Sequence, residues 1–213
     1  MSLSNIIQRM NDTTGLTPDH TGLFGVASGQ HGFFTSSQAR EFGIGPDLLS
    51  HAVKRGKFLR VHRGVYRFRD YPGFHREEVV AAWLAAGKDV AVVSHESALD
   101  LLELSNVIPN AIHLTVDRAH RYLKPTPGVI LHTTTRPFEP SDLTVREGIR
   151  MTSPARTIVD AAEFGSAPEQ IEMAIDEAIG SGQTTRARVE RAANGRPGRV
   201  QRLVEQSIRI LAA

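Results

Sequence analysis

Apolar positions between residues 31 and 76 predict two short helices followed by a β-hairpin. Residues 35–38 have the spacing of a capping box, which starts a helix that ends at Gly43. A second helix starts at Gly45 and Pro46, and its apolar face recurs at helical spacing. That face consists of Leu48, Leu49, Ala52 and Val53. Two short helices joined by a tight turn that contains glycine are typical of a helix-turn-helix.

The stretch that follows the second helix predicts a two-stranded wing. Residues 57–68 are rich in β-branched and aromatic side chains, and Gly64 stands where a hairpin turn needs a positive φ. We therefore predict a winged helix-turn-helix over residues 31–76. The major groove of B-DNA accepts one α-helix, so such a module is suited to binding double-stranded DNA.

The remainder of the chain alternates helical and strand patterns without an internal repeat. Residues 90–93, 112–116, 129–133 and 143–149 predict strands, and four helices are predicted around them at 76–86, 94–102, 152–164 and 168–180. The last 30 residues predict two basic helices, and residues 1–17 a loose arm or a short helix. We predict an α+β fold: a winged helix-turn-helix domain over residues 1–75, then a mixed α/β domain with a small sheet and several helices over 76–213.

The net charge of +2 conceals two basic segments and one acidic segment. Residues 31–76 hold nine lysines and arginines and three acids, a balance of +6. Residues 77–177 carry eight basic and sixteen acidic residues, a balance of −8, and residues 178–213 carry seven arginines and two glutamates, a balance of +5. This segregation indicates a module that faces a polyanion, an acidic body and a basic tail.

The composition also restricts where the protein functions. The absence of cysteine excludes disulfides and thiolate metal sites, and suits a reducing compartment. No apolar run approaches the ~20 residues of a membrane span, and the N-terminus lacks the pattern of a signal peptide. We therefore expect a cytoplasmic protein without a membrane partner.

Polar residues on the second helix and the wing are the candidate DNA contacts. Ser50, His51 and Lys54 lie on the front of the helix, opposite its apolar face. Hydroxyls and N–H groups at the start of the first helix are suited to a phosphate. The full set of predicted contacts is Ser36, Ser37, Pro46, Asp47, Ser50, His51, Lys54, Arg55, Lys57, Arg60, His62, Arg63 and Arg67. The alternative is a winged helix that contacts protein only and leaves this basic face in solvent.

Outside the predicted winged helix, three histidines, one serine and one arginine are of residue types that can serve in a functional site. His95, His113 and His132 fall at predicted strands and helix starts, and no HExxH or HxxxH pair appears, so we expect structural roles, no metal and no cofactor. Ser94 is expected to cap a helix. Arg156 lies in the first turn of a helix, where a cation opposes the macrodipole, so it needs a compensating group. That group is either Asp160 at i+4 or an anionic partner or inter-domain acid, and in the second case Arg156 is a functional residue of the antitoxin domain.

Residues 32–68 read GFFTSSQAREFGIGPDLLSHAVKRGKFLRVHRGVYRF and resemble the N-terminal domain of AbiEi-type antitoxins. The stretches AVVSHESALDLLEL, IHLTV and MTSPARTIVDAA are similar to the second domain of that family, so the resemblance spans roughly residues 20–180. It implies a bacterial type IV toxin–antitoxin system. In such systems the antitoxin represses its own operon by binding inverted repeats, and it counteracts an AbiEii-type nucleotidyltransferase toxin, directly or indirectly. No catalytic residues carry over.

Two other functions compete with a noncatalytic antitoxin and autorepressor. One is a ligand-responsive transcriptional repressor whose second domain is the sensor. The other is an enzyme that modifies the toxin, for example by phosphorylation, although GxGxxG, HRD and DFG signatures are absent. The basic tail is either a second DNA contact or a helix that packs elsewhere and leaves its arginines in solvent.

Overall fold

The computed structural model describes residues 17–211, and the predictions for residues 1–16 lie outside that range. The chain divides into two compact units between Ala85 and Ala86, whereas the sequence-based boundary lies earlier, between residues 75 and 76. The first unit contains the helices α1 (His20–Ser28), α2 (Ser36–Glu41) and α3 (Pro46–Lys54), the strands β1 (Phe33–Thr35), β2 (Phe58–His62) and β3 (Val65–Phe68), and then α4 (Glu77–Ala86), which runs up to the boundary.

The three strands of the first unit form an antiparallel sheet in the order β1-β3-β2. The helices α2 and α3 follow one another closely, and the hairpin β2–β3 comes directly after them. The two helices agree with the predicted helix-turn-helix, and the hairpin lies where the sequence predicts a wing.

The start of α2 follows the sequence signal closely. The Thr35 hydroxyl accepts from the backbone N–H of Gln38 at 3.2 Å, and the Gln38 side chain accepts from the N–H of Thr35 at 2.8 Å. The predicted capping box is therefore confirmed. Pro46 stands in the first turn of α3, where its missing N–H costs nothing.

The core of the first unit fixes which side of α3 faces outward. Leu49 and Ala52 of α3 pack with Phe34, Phe58 and other apolar side chains in one buried cluster. Leu48 was expected in that face, but it is 44% exposed. The prediction for Leu48 is wrong because the buried stripe of this short helix is narrow and centred on the Leu49 and Ala52 positions.

The second unit is built on a five-stranded mixed sheet in the order β6-β5-β4-β8-β7. Its strands are β4 (Ala91–Val93), β5 (Ile112–Asp117), β6 (Val129–Thr134), β7 (Leu143–Arg146) and β8 (Ile149–Thr152). Its helices are α5 (His95–Leu101), α6 (Pro154–Phe164), α7 (Pro168–Gly180), α8 (Arg186–Ala193) and α9 (Gly198–Ile210), with 3-10 turns at Arg118–His120 and Pro140–Asp142. The pairs β4–β8 and β5–β6 are parallel, and the others are antiparallel.

The single strand predicted over residues 143–149 is instead a hairpin. The chain turns at Glu147 and Gly148, both of which have positive φ, and β8 continues to Thr152. The glutamate at the turn concealed it from sequence analysis, because side chains other than glycine seldom adopt that conformation.

Helix α6 is the centre of the second unit, because almost every residue along it is buried. Helix α9 packs on α6, α7 and α8 through Val200, Val204 and Ile208. Part of the basic tail is therefore a packed helix. Among residues 17–211, none of the helices has the length and apolar content needed to cross a bilayer.

Candidate nucleic-acid interface

The outward face of α3 is polar and accessible. Ser50, His51 and Lys54 are exposed, as are Pro46 and Asp47 at the start of the helix. The buried cluster holds the opposite side of α3 and so fixes which side chains point outward. A helix with an apolar back and an exposed polar front has the form that inserts into the major groove.

A groove of about 460 Å³ runs between this helix, the start of α2 and the hairpin. We call it the basic groove. Its lining residues are Ser36, Arg40, Pro46, Leu49, Ser50, Val53, Lys54, Arg60 and Tyr66. The structure thus brings together five residues of the predicted set: Ser36, Pro46, Ser50, Lys54 and Arg60. Among the residues that the structure describes, three basic side chains and no acidic one line the groove.

Four groove residues were not among the predicted contacts: Leu49 and Val53 from the apolar face of α3, and the polar residues Arg40 and Tyr66. Arg40 lies four residues after Ser36 on α2, and residues at that spacing share a helix face. Tyr66 stands opposite Arg60 in the β2–β3 register, and directly opposed residues on paired strands are neighbours. Both positions follow from helix and hairpin geometry once the pairing is known.

The tip of the wing is tied to the start of α2. The backbone N–H of Ser36 donates to the Gly64 carbonyl at 2.8 Å, and Gly64 has the positive φ that the turn requires. With the N–H of Gln38 bound to the Thr35 hydroxyl, two of the N–H groups expected to hold a phosphate have internal partners. The exposed Ser37 and the Ser36 hydroxyl remain as candidates at this end.

The other predicted contacts differ in accessibility. Arg55, Lys57 and the wing-tip Arg63 are exposed, while His62 is half-buried. These residues do not line the basic groove, so they would reach DNA at its margins.

Arg67 is the one predicted DNA contact that the structure contradicts. Its side chain is 7% exposed, and it donates to the carbonyls of Tyr71 and Pro72, both at 2.9 Å. It also pairs with Glu77 at 2.8 Å and lies over the ring of Phe33. Because side chains alternate along a strand, Arg67 points away from the face that carries Tyr66. Its role is to hold β3 to the segment that leads into α4.

Arg156 has a carboxylate partner inside the second unit. Its Nε lies 2.9 Å from both carboxylate oxygens of Asp160, and its Nη1 lies 3.3 Å from Asp142. Arg196 reaches the same Asp160 at 2.7 Å and also pairs with Glu163. Of the two alternatives for Arg156, the i+4 partner is the one observed. We call these five residues the arginine–carboxylate cluster.

Residues 23–69 match the family model described as "Transcriptional regulator, AbiEi antitoxin". In the comparison with curated proteins, no protein matches the chain. Among solved structures, the RV2827C protein from Mycobacterium tuberculosis matches with a TM-score of 0.57 and 15% sequence identity, over 88% of this chain and 74% of that chain. At that identity the likeness shows a shared fold alone. Residues 23–69 are therefore similar to the AbiEi antitoxin transcriptional regulators, in agreement with the resemblance found in the sequence.

Proposed function

We propose that this protein is an antitoxin that binds operator DNA through the basic groove and represses its own toxin–antitoxin operon. The observation that carries the proposal is the groove itself, in which Arg40, Lys54 and Arg60 surround the exposed front of α3. The family match over residues 23–69 supports a regulator of transcription. The balance of +6 over residues 31–76 supplies attraction to phosphates.

In this proposal, α3 enters the major groove. Ser50, His51 and Lys54 face the base edges, because serine and lysine side chains can donate hydrogen bonds there. Arg60 and Arg63 of the wing contact phosphates, which position the protein without reading sequence. An operator of inverted repeats presents two equivalent half-sites, so two copies of the chain would bind it.

The second part of the proposal concerns the toxin. We assign operator binding to the domain over residues 1–75, and neutralisation of an AbiEii-type nucleotidyltransferase toxin to residues 76–213. The support for this division is the antitoxin description of the family and the sequence resemblance in the later stretches. The exposed residues that would read DNA lie before residue 70, which leaves the rest of the chain for another role.

Binding of the full-length protein to a fluorescent duplex from upstream of its own gene tests the first part. Lys54→Ala combined with Arg60→Ala should weaken binding about 10- to 100-fold, since removing each DNA contact costs ~1 kcal/mol or more. The matched control is Arg118→Ala with Lys124→Ala, which removes the same charge from exposed positions of the second unit. Equal losses for the two double variants would refute the assignment of the basic groove.

Coexpression with the neighbouring toxin gene tests the second part. We expect the Lys54→Ala/Arg60→Ala protein to relieve growth arrest while it fails to repress a reporter fused to the operon promoter. If a folded double variant loses both functions when expressed from a constitutive promoter, neutralisation depends on the DNA-binding face and the proposed division is wrong.

A further inference from the structure

Three histidines from separate elements meet in the second unit. His95 opens α5, His113 lies in β5 and His132 lies in β6. One ring nitrogen of each lies within 4.8 Å of those of the other two. The closest pair is His113 Nδ1 and His132 Nε2, which are 2.9 Å apart. Because β5 and β6 are paired in parallel, residues 19 positions apart become neighbours.

The backbone and the neighbouring hydroxyls hold these rings in place. His95 has a φ of +52°, a left-handed conformation that is uncommon outside glycine and that histidine adopts more readily than most residues. Its Nδ1 contacts the Ser94 hydroxyl at 2.9 Å, which in turn contacts the Thr115 hydroxyl at 2.7 Å. Ser94 stands at the N-cap as predicted, but its hydroxyl is engaged with these partners instead of capping the helix. Such an outer hydrogen bond orients an imidazole so that its other nitrogen can serve as a ligand.

One nitrogen of this group is buried without any hydrogen-bond partner. His113 is fully buried, and its Nε2 has no partner among the described residues. Whichever of the two facing rings carries the proton between them, this Nε2 is either an N–H or a lone pair with nothing to satisfy it. The nitrogen of His113 that faces His132 is Nδ1, so Nδ1 is the atom that an ion shared with His132 would bind, and Nε2 would stay outside its coordination.

We propose that His95, His113 and His132 bind one divalent transition-metal ion, with Zn²⁺ as the ion that suits them best. Three imidazoles are a known ligand set for zinc, and the chain has no cysteine to offer thiolates. Nitrogens bound to tetrahedral zinc lie about 3.3 Å apart, as the usual Zn–N bond lengths require. The His113–His132 contact would widen slightly. The His95 ring stacks on His132 with centroids 3.6 Å apart, so it would have to turn until one of its nitrogens points at the ion.

An apolar side chain borders the three histidines on one side. Phe164 stands edge-on to all three rings, with ring centroids 4.9–5.8 Å away, and contributes an apolar wall.

A fourth coordination position would face a cavity of about 370 Å³ beside His95 and His132. The cavity is also lined by the hydroxyl-bearing residues 133–135, by the arginines Arg136, Arg156 and Arg196, and by the carboxylates Asp160 and Glu163. Three protein ligands with one open position are typical of zinc sites that bind water or another small ligand. Because Asp160 and Glu163 already pair with Arg156 and Arg196, water is the ligand suited to that position.

Metal titration of the full-length protein tests this inference. Untagged protein is treated with a chelator, dialysed, and titrated with Co²⁺ while its visible d–d absorption is followed; Zn²⁺ is then added. We expect a band that saturates at one Co²⁺ per chain and disappears when Zn²⁺ displaces the cobalt. Because cysteine is absent, no thiolate charge-transfer band should accompany it. Absence of a saturable band, or a stoichiometry far from one, would overturn the proposal.

Variants locate the site. His132→Ala, at the least buried of the three positions, should weaken binding at least about 100-fold, since even outer-shell changes cost 10- to 100-fold. His120→Ala removes a histidine of the same unit that pairs with Asp117 instead, and it should leave the affinity within about 2-fold. Equal affinities for the two variants would show that the metal binds elsewhere.

Thermal unfolding of the unmodified protein gives a test that does not depend on any variant. An ion that binds only the folded chain must raise the unfolding temperature progressively as its concentration rises above Kd. We expect stepwise addition of Zn²⁺ to raise the midpoint. An unchanged midpoint at a hundredfold excess of Zn²⁺ over protein would contradict the site even if His132→Ala failed to fold.

Discussion

The basic groove of the first unit and the arginine–carboxylate cluster of the second use the same kind of side chain in opposite ways. In the groove, Arg40, Lys54 and Arg60 are exposed, and no carboxylate of the described residues shares the lining with them. In the cluster, Arg156 is 7% exposed and shares Asp160, itself 4% exposed, with Arg196. One set of cations remains available to a polyanion, and the other is neutralised internally.

The difference follows from the cost of removing charge from water. An exposed arginine or lysine keeps its hydration, so it needs no internal partner and can release counterions when it meets phosphate. A buried guanidinium must be paired and hydrogen-bonded, or the fold suffers a large desolvation penalty. The basic tail belongs partly to the second case, because the Arg196 side chain is 11% exposed and pairs with Asp160 and Glu163. Its charge of +5 is therefore not equivalent to the +6 of the winged helix.

The largest effect on the free energy of unfolding should come from removing Asp160, the carboxylate at the centre of the arginine–carboxylate cluster. Asp160→Ala leaves two buried guanidiniums without their shared partner, and such a break typically costs about 3–5 kcal/mol. Chemical denaturation measures the free energy of unfolding. Asp176→Ala, an exposed position on α7, is the control and should change stability by less than about 0.5 kcal/mol. A cost below about 1 kcal/mol for Asp160→Ala would mean that the cluster is solvated and that the contrast with the groove is false.

A second test compares two arginines of one hairpin. Arg67→Ala removes donors to the carbonyls of Tyr71 and Pro72 and the pair with Glu77, so it should destabilise the protein by about 2–3 kcal/mol. Arg60→Ala removes an exposed side chain and should leave the free energy of unfolding within about 0.5 kcal/mol. Equal stability of the two variants would make Arg67 a candidate DNA contact again.

This pair of arginines shows where sequence reasoning succeeded and where it stopped. The capping box, the proline at the start of α3 and the glycine of the wing could be predicted because each acts within a few residues. Arg67 could not be placed, because its partners, the Tyr71 and Pro72 carbonyls and the Glu77 carboxylate, lie outside the hairpin. A count of basic residues gives the charge of the wing but not the direction in which each side chain points.

The same limit applies to the second unit. His95, His113 and His132 are far apart in the sequence, and only the pairing of β5 with β6 and the turn after β4 bring them together. The spacing of these histidines in the sequence does not predict that their side chains lie close together. Sequence analysis therefore predicts a separate structural role for each of them. The Arg156–Asp160 pair was predictable because i and i+4 share a helix face, whereas Arg196 joins it from 36 residues away.

A smaller effect is expected when the groove alone is altered. Arg60→Ala should weaken operator binding about 10-fold, the cost of one contact worth ~1.4 kcal/mol. Arg60→Lys keeps the charge and should recover most of that affinity if the partner is a phosphate. The readout is anisotropy of the labelled operator duplex at fixed salt. If Lys restores nothing, Arg60 reads a base through both of its guanidinium nitrogens, and the wing takes part in sequence recognition.

The smallest effect is expected from a substitution at the wing tip, and it appears only in the salt dependence of DNA binding. The slope of log K against log salt changes by about 0.9 for each phosphate of B-DNA that the protein neutralises. Arg63→Ala should therefore reduce the steepness of this slope by about one, with a similar change on operator and unrelated duplexes, because a phosphate contact is blind to sequence. Arg156→Gln removes a charge of the cluster and serves as the control; the folded variant should leave the slope unchanged, since the partner of Arg156 is Asp160. If Arg63→Ala leaves the slope unchanged and Arg156→Gln makes it less steep, the cluster contributes to the DNA contact, and the distinction between the two sets of cations fails.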